Sequence, residues 1–214
     1  MQPTKPPSVG TLHWSPRSPY VRKVMIVAHE VGLADGIATV RTVVGGTTPH
    51  RGLMERAPLG KIPVLELPDG TVLYDSPVIC DYLDSMQDGT KLFPPAWPAR
   101  GVALRRLALG DGMVDVALAW LGERFRPADR QSAPHMALWR EKLAACVAAL
   151  EGESRVLAAD PFTIGHIGIG VALGYLDFRF AELAWRDGHP ALAAWYEGFT
   201  LRESVRNSPQ VDER

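Results

Sequence analysis

Apolar and β-branched positions in the first part of the chain predict two strands with a helix between them. The segments VGTLHW at 9–14 and IATVRTVV at 37–44 are short strand candidates, because β-branched residues fit a pleated, half-buried surface. Between them apolar side chains recur three and four positions apart, the spacing of one helix face, and this pattern runs to about Leu33. The predicted face consists of Val21, Val24, Met25, Ala28 and Val31.

Two further apolar runs predict a second pair of strands. IPVLEL and TVLYD flank Asp69-Gly70, and an Asp-Gly pair between such runs favours a hairpin. The next segment, SPVICDYLDSM, begins with a Ser-Pro pair and has helical spacing, with a predicted apolar face of Val78, Ile79, Tyr82 and Leu83. Residues 9–86 therefore predict the order β-α-β and then β-β-α, with a loop and at most one irregular helical turn at 45–61.

The remainder of the chain is predicted to be helical after a break rich in proline. QDGTKLFPPAWP has one glycine and three prolines, which predicts a linker at 87–96. Helical spacing then follows over four segments, at 97–125, 135–151, 163–184 and 190–200. The predicted fold class is α/β followed by all-α, with an α/β domain at 9–86 and a helical-bundle domain at 97–205.

The segment at 163–184 is apolar nearly all round, which is typical of a buried central helix. It contains Gly165, Gly168, Gly170 and Gly174. Each interior glycine costs about 1 kcal/mol relative to alanine, so helix propensity alone disfavours four of them. The glycines therefore predict that a neighbouring backbone approaches this helix closely.

Composition narrows the classes of function. The chain has 23 basic and 24 acidic side chains, so no overall field attracts nucleic acid or an anionic membrane. Cys80 and Cys146 are too few and too far apart for a metal site or a disulfide framework, and the six histidines lack metal-ligand spacing. No apolar run approaches the ~18 residues of a membrane span, and the N-terminus lacks a signal-peptide core. These features predict a soluble, cytoplasmic protein without a metal, nucleic-acid or membrane partner.

Two Ser-Pro pairs, at Ser15 and Ser18, precede the first predicted helix. A serine followed by proline at the start of a helix is an N-cap signal. A βαβ-ββα unit whose first helix follows strand one directly resembles the thioredoxin-like domains, and glutaredoxins open that helix with Cys-Pro-Tyr-Cys. The matching residues here are Ser18-Pro19-Tyr20-Val21, which places Ser18 at the nucleophile position and Ser15 in the loop. Oxygen at this position forms no mixed disulfide, so a redox role is disfavoured.

Two more positions fit the same domain. Pro63, directly before the third strand, stands where thioredoxin-like proteins carry a cis-proline, which would leave the Ile62 N–H and C=O facing a peptide-like ligand. Asp75 and Ser76 start the next helix, where free N–H groups and the positive end of the dipole receive an anion. Ser18, Asp75 and Ser76 each also have a purely structural interpretation as helix caps.

Taken in order, these pieces resemble a cytosolic glutathione S-transferase of the serine type, similar to the bacterial members and the tau class. The resemblance implies Ser18 as the catalytic residue that activates the thiol. It implies that glutathione is a co-substrate, with no further cofactor, and that it is bound by Lys61, Ile62, Pro63, Asp75 and Ser76. The resemblance also implies that the second substrate is a small hydrophobic electrophile, that the protein is a homodimer, and that it serves in detoxification.

The electrophile site is expected between the two domains. The candidate residues are Trp14, Asp111, Met113, Asp115, Trp120 and Tyr175. The electrophile itself is left open by the sequence. Alternatives are a glutathione-dependent isomerase or dehalogenase that uses the same thiolate, and a non-catalytic ligand-binding or regulatory protein on the same fold.

One position departs from the family pattern. The family's central helix usually starts with a Ser/Thr-x-x-Asp capping box, whereas this chain has Thr163-Ile164-Gly165-His166. A neutral imidazole still accepts a hydrogen bond from the Thr163 N–H, but an imidazolium opposes the helix dipole. The folded-state pKa of His166 is therefore expected to be low, and His166→Asp is expected to raise stability by about 0.5–2 kcal/mol.

Overall fold

The computed structural model describes residues 8–212, which form two compact units. The first unit holds the described residues through 93 together with those from 203 onward, and the second is Pro94–Arg202. Within the described residues there are four strands, namely β1 Gly10–Trp14, β2 Ile37–Arg41, β3 Val64–Glu66 and β4 Val72–Leu73. The α-helices are α1 Pro19–Glu30, α2 Arg51–Met54, α3 Ser76–Ser85, α4 Ala99–Arg124, α5 Ala133–Ala159, α6 Ile164–Arg179, α7 Pro190–Thr200 and α8 Glu203–Arg206. The predicted fold class, α/β followed by all-α, is confirmed.

The first unit is built on one mixed sheet in the order β2-β1-β3-β4. β1 is parallel to β2, with Gly10 opposite Ile37, and antiparallel to β3, with His13 opposite Val64. The β3–β4 hairpin closes through Gly70, which has a φ of 88° in the left-handed region that glycine adopts without steric cost. β1 thus lies at the centre of the sheet, and the chain leaves it directly into the loop before α1.

The buried faces of α1 and α3 differ in part from the predicted ones. On α1, Met25 is only half-buried, whereas Lys23 is fully buried, because this helix packs against both α3 and α8. On α3, Val78 was predicted to face the core but is 48% exposed. The buried stripe of that helix passes instead through Ser76, Ile79, Cys80, Leu83 and Asp84.

A buried carboxylate fixes the chain after α3. Asp84 accepts the backbone N–H groups of Leu92 at 2.9 Å and of Phe93 at 3.0 Å, one on each carboxylate oxygen. Leu92 and Phe93 are themselves buried. The residues after α3, which the sequence predicts as part of a linker, are therefore bound into the first unit through residue 93.

The second unit centres on α6, which packs closely against α4. An ideal Cβ on Gly110 of α4 would lie 2.4 Å from the carbonyl carbon and oxygen of Gly168, and one on Gly165 would lie 2.7 Å from the Ala103 carbonyl oxygen. A Cβ on Gly170 would instead meet the ring of Phe199 at 2.3 Å. The predicted close approach of a neighbouring backbone is therefore observed at Gly165 and Gly168, and it also explains Gly110, which the sequence analysis did not single out.

His166 joins the ends of two helices. Its Nδ1 accepts the N–H of Thr163, the N-cap of α6, at 3.0 Å, as the sequence predicts for a neutral ring. Its Nε2 lies 3.1 Å from the carbonyl oxygen of Leu157 in the last turn of α5, to which it donates. In an uninterrupted helix the residue four positions on would donate to that carbonyl, but here that residue is Pro161, which has no N–H. The neutral imidazole thus caps the N-terminus of α6 and the C-terminus of α5 at once.

This second bond changes the expectation for His166→Asp. An aspartate would recover the bond from Thr163 N–H but leave the Leu157 carbonyl without its donor. It would also bury a carboxylate near the Phe162 and Trp195 rings, whose centroids lie 5.5 and 6.3 Å from that of the imidazole. His166→Asp is therefore not expected to raise the stability of the protein.

We expect Gly110→Ala to destabilise the protein by about 1–3 kcal/mol, because the new methyl group overlaps the backbone of α6. Gly112→Ala, two residues along the same helix, is the matched control. A Cβ there meets nothing within 4 Å, so the gain in helix propensity should stabilise by about 0.5–1 kcal/mol. Urea melts of both variants measure the two values, and equal effects at the two positions would contradict the close contact.

The stabilisation by His166 should depend on pH. Burial is the main cause that lowers the pKa of His166; Arg106 and Arg202 act in the same direction, while the bond to Leu157 and the charge of Asp160 oppose them. Stabilisation by the neutral ring is therefore complete above the unfolded pKa of about 6.5 and is lost as pH falls through the folded value.

His166→Asn retains an acceptor for the Thr163 N–H but loses the bond to Leu157. It should cost about 1 kcal/mol near pH 8, and less at about pH 5.5, because there the imidazole of the unfolded wild-type chain is protonated and folding to the neutral ring is less favourable. Urea melts of both proteins at the two pH values give the difference. An equal difference at the two pH values would show that folding does not lower the pKa of His166.

Candidate functional site

Ser18 is the N-cap of α1. Its backbone is extended (φ −79°, ψ 120°), Pro19 occupies the first helical position, and its Oγ accepts the Val21 N–H at 3.2 Å. The side chain is half-buried, and no group within residues 8–212 accepts its hydroxyl hydrogen. The cap therefore uses one lone pair of the oxygen and leaves the O–H to donate to a ligand.

Ser15, the serine of the other Ser-Pro pair, has a different environment. It is 6% exposed, its Oγ lies 3.4 Å from the Arg17 N–H, and its carbonyl accepts the Ser18 N–H at 3.2 Å. It thus belongs to the turn that sets the position of Ser18 before α1, in line with its predicted place in the loop.

The predicted cis-proline is present, since the Ile62–Pro63 peptide bond is cis. Pro63 precedes β3, and Val64 pairs with His13 near the end of β1, so Ile62 lies beside the start of the loop that carries Ser18. The Ile62 side chain is buried, while its backbone N–H and C=O form no hydrogen bond with any residue of the described part of the chain. An extended ligand can pair with these two groups as an added strand.

Asp75 and Ser76 begin α3. Asp75 is the N-cap, and its carboxylate accepts the Ser76 N–H. Ser76 is fully buried, and its Oγ has no hydrogen-bond partner among residues 8–212. Buried hydroxyls are normally paired, so this one indicates a partner that comes from outside the chain.

Lys61 is an exposed cation next to this backbone. It directly precedes Ile62 and forms no ion pair with a described residue.

A network of polar side chains is centred on Glu66 of β3. The Glu66 carboxylate binds Arg56 at 2.8 Å and His13 Nε2 at 2.9 Å, and His13 Nδ1 lies 2.9 Å from the Thr42 hydroxyl. This network ties the segments on either side of α2 to β1 and β3, and sequence analysis did not find it. The only signal was the alternation that places Thr11 and His13 on one face of β1.

The predicted electrophile residues lie in different places. Trp14 lines a cavity of about 260 Å³ in the first unit together with Ser18. Met113, Trp120 and Tyr175 are buried in the second unit, where Trp120 packs on Phe180 with ring centroids 4.9 Å apart. Asp111 is half-buried and Asp115 is exposed on α4. Their role toward an electrophile stays a prediction.

Both cysteines lie away from solvent to different degrees. Cys80 on α3 is fully buried, and Cys146 on α5 is half-buried, with burial raising the pKa of its thiol. Across residues 8–212 no three His, Cys, Asp or Glu side chains are grouped in a way that could hold a metal ion. In the same part of the chain, no helix has the length and apolar character needed to cross a bilayer.

Comparison with known proteins gives a consistent result along the chain. The family models described as the N-terminal and C-terminal domains of glutathione S-transferase match residues 17–86 and 133–198. YibF of Escherichia coli K12, named an uncharacterised GST-like protein, is 32% identical over 196 residues, which is 90% of this chain and 95% of that protein.

Solved structures agree. A glutathione transferase family member from Pseudomonas fluorescens Pf-5 with bound glutathione is 39% identical, with a TM-score of 0.91 over 94% of this chain and 99% of the other. A structure from the same source with bound S-(propanoic acid)-glutathione is also 39% identical, with a TM-score of 0.86 over 94% of this chain and all of the other. Because both halves match and a relative of this similarity spans nearly the whole chain, the protein belongs to the glutathione S-transferase family.

Proposed function

We propose that the protein is a glutathione transferase of the serine type, which activates the thiol of glutathione through Ser18 and conjugates it to small hydrophobic electrophiles. The observation that carries the proposal is the state of the Ser18 hydroxyl, whose oxygen caps α1 while its hydrogen is left without an acceptor in the described chain. Such a group donates to an anion that lies before the helix, where the positive end of the dipole also acts.

The hydrogen bond from Ser18 and the helix dipole together supply enough free energy to ionise the thiol without a general base. A thiol with an ordinary pKa of about 8.5 is only about 3% thiolate at pH 7. Lowering this pKa by about 2 requires about 2.7 kcal/mol of selective stabilisation of the thiolate. A hydrogen bond to a charged group contributes about 1.5–3 kcal/mol, and a helix N-terminus adds about 0.3–1 kcal/mol.

Three other features support glutathione as the ligand. The unpaired N–H and C=O of Ile62 suit the peptide-like backbone of its cysteinyl residue. The buried, unpartnered Ser76 hydroxyl, with Asp75 beside it, suits the charged γ-glutamyl end, and Lys61 suits the glycyl carboxylate. The glutathione seen in the Pseudomonas relative at 39% identity is consistent with this assignment.

The remaining parts of the proposal are a role in detoxification, a cytoplasmic location and a homodimeric state. They follow from the family to which the chain belongs. Exposed Tyr74 and Val78 at the start of α3 are apolar side chains that a second subunit would cover. Sedimentation velocity on the purified protein distinguishes dimer from monomer.

Ser18→Ala should lower kcat for conjugation about 10- to 1,000-fold, because it removes one hydrogen bond to a developing anion, while glutathione affinity changes only a few-fold. Ser18→Thr keeps both the cap and the hydroxyl and should recover most of the rate. Ser15→Ala is the matched control: it removes the neighbouring hydroxyl but retains the Ser15 carbonyl that accepts the Ser18 N–H, so it should keep most of the rate. Steady-state kinetics with a panel of electrophiles, and calorimetry with glutathione, provide the values. Equal rates in wild type and Ser18→Ala would remove the catalytic role from Ser18.

Ser76→Ala should separate binding from stability. Because the Ser76 Oγ has no partner in the described chain, its removal should leave the free energy of unfolding unchanged or slightly higher. Glutathione affinity should fall by about 1–3 kcal/mol, since a hydrogen bond to a charged group is lost. Asp75→Ala should weaken binding to a similar extent and also cost about 1 kcal/mol of stability as a lost N-cap. Unchanged affinity in both variants by calorimetry would show that α3 does not receive the ligand.

A further inference from the structure

Residues 207–212, here named the C-terminal strap, lie along the loop that carries Ser18. The Val211 N–H donates to the Pro16 carbonyl at 3.2 Å, and Asp212 pairs with Arg17 at 3.0 Å. Both contacts fall within the turn that links β1 to Ser18. The strap is therefore bonded to this loop at two consecutive residues, Pro16 and Arg17.

Arg22 connects the strap to the first turn of α1. Its Nε–H donates to the Ser208 carbonyl at 2.9 Å, and its terminal N–H donates to the Gln210 Oε1 at 3.2 Å. Its backbone N–H donates to the Ser18 carbonyl at 3.0 Å. One residue thus holds two points of the strap with its side chain and Ser18 with its main chain.

Packing around the loop is incomplete on this side. A cavity of about 260 Å³ beside Ser18 is lined by Trp14 and Met25 and also by Asn207, Ser208 and Pro209 of the strap. A cavity of this size admits water, so close-packed side chains do not fix the loop here. The hydrogen bonds from the strap and from Arg22 add contacts that packing does not supply on this side.

We propose that the C-terminal strap holds the loop Trp14–Ser18 in the position from which the Ser18 hydroxyl reaches the thiol of glutathione, with Arg22 as the positioning residue. This inference rests on the proposed function of Ser18. A hydrogen bond to a thiolate stabilises it only at the correct distance and angle, so loosening the strap weakens thiolate stabilisation. Binding of the glutathione backbone at Ile62 and Ser76, which belong to other segments than the loop Trp14–Ser18, is expected to be retained.

Arg22→Gln tests the inference, because it cuts both side-chain bonds to the strap and leaves Ser18 in place. We expect kcat to fall about 5- to 30-fold with KM for glutathione within about 3-fold of wild type. The pKa of the bound glutathione thiol, read from thiolate absorbance against pH, should rise by about 0.5–1. Arg22→Lys retains a donor for the Ser208 carbonyl and should give intermediate values.

Ser204→Ala is the matched control. The Ser204 hydroxyl donates to Glu30 at the far end of α1, so its removal also cuts a bond between the C-terminal residues and this helix but away from Ser18. It should leave kcat and the thiol pKa unchanged. If Arg22→Gln does not fold, Gln210→Ala combined with Asp212→Ala removes two of the strap's bonds from its own side, leaves those of Ser208 and Val211, and should lower kcat about 2- to 5-fold.

The outcomes separate the two proposals. If Ser18→Ala is impaired while Arg22→Gln keeps the wild-type kcat and thiol pKa, the strap does not position Ser18 and only this inference is overturned. Equal losses in Arg22→Gln and Ser204→Ala overturn it as well, because they indicate general packing of the C-terminal residues. If the wild type binds no glutathione, or Ser18→Ala matches it, the proposed function fails and this inference fails with it.

Discussion

A serine hydroxyl can accept hydrogen bonds through its oxygen and donate one through its hydrogen, and in Ser18 these two capacities serve different purposes. The oxygen of Ser18 faces back into α1, where it accepts the Val21 N–H and starts the helix. Its hydrogen rotates about the Cβ–Oγ bond and has no acceptor in the described chain, so it stays available to a ligand. The cap and the proposed chemistry therefore depend on the same atom, since the bond that begins the helix also holds the Ser18 oxygen in place. The turn at Ser15, the position of β1 in the sheet and the strap all contribute to the position of this one oxygen.

Features that a few neighbouring residues determine were predictable from the sequence. The N-caps of α1 and α3, at Ser18 and Asp75, and the Asp69-Gly70 turn depend on local backbone preferences. The cis bond before Pro63 was expected instead from the resemblance to thioredoxin-like proteins, because local preference favours the trans form. Periodicity also gave the order of strands and helices. It failed on Val78, because four apolar residues near one another fit two adjacent helical phases, and packing selected the phase that buries Cys80 instead.

Contacts between residues that are far apart in the sequence could not be predicted from it. His13 and Glu66 are 53 positions apart, and Arg22 and Ser208 are 186 apart, and neither pair has a local signature. The unpartnered state of the Ser76 hydroxyl is likewise a property of what surrounds it, so the sequence offered only a cap signal there. For His166, the neutral acceptor was predictable from its place three residues after Thr163, whereas the bond to Leu157 depends on how the chain returns after Pro161.

The state of the two cysteines has a consequence for chemistry at this site. With Cys80 enclosed and the thiol of Cys146 held in its protonated form by burial, the protein supplies little reactive sulfur of its own near neutral pH. If glutathione binds at Ser18 as proposed, its thiolate meets little competition from protein thiolates for an alkylating agent. The protein's own cysteines are then expected to contribute little to a thiolate absorbance measured near neutral pH.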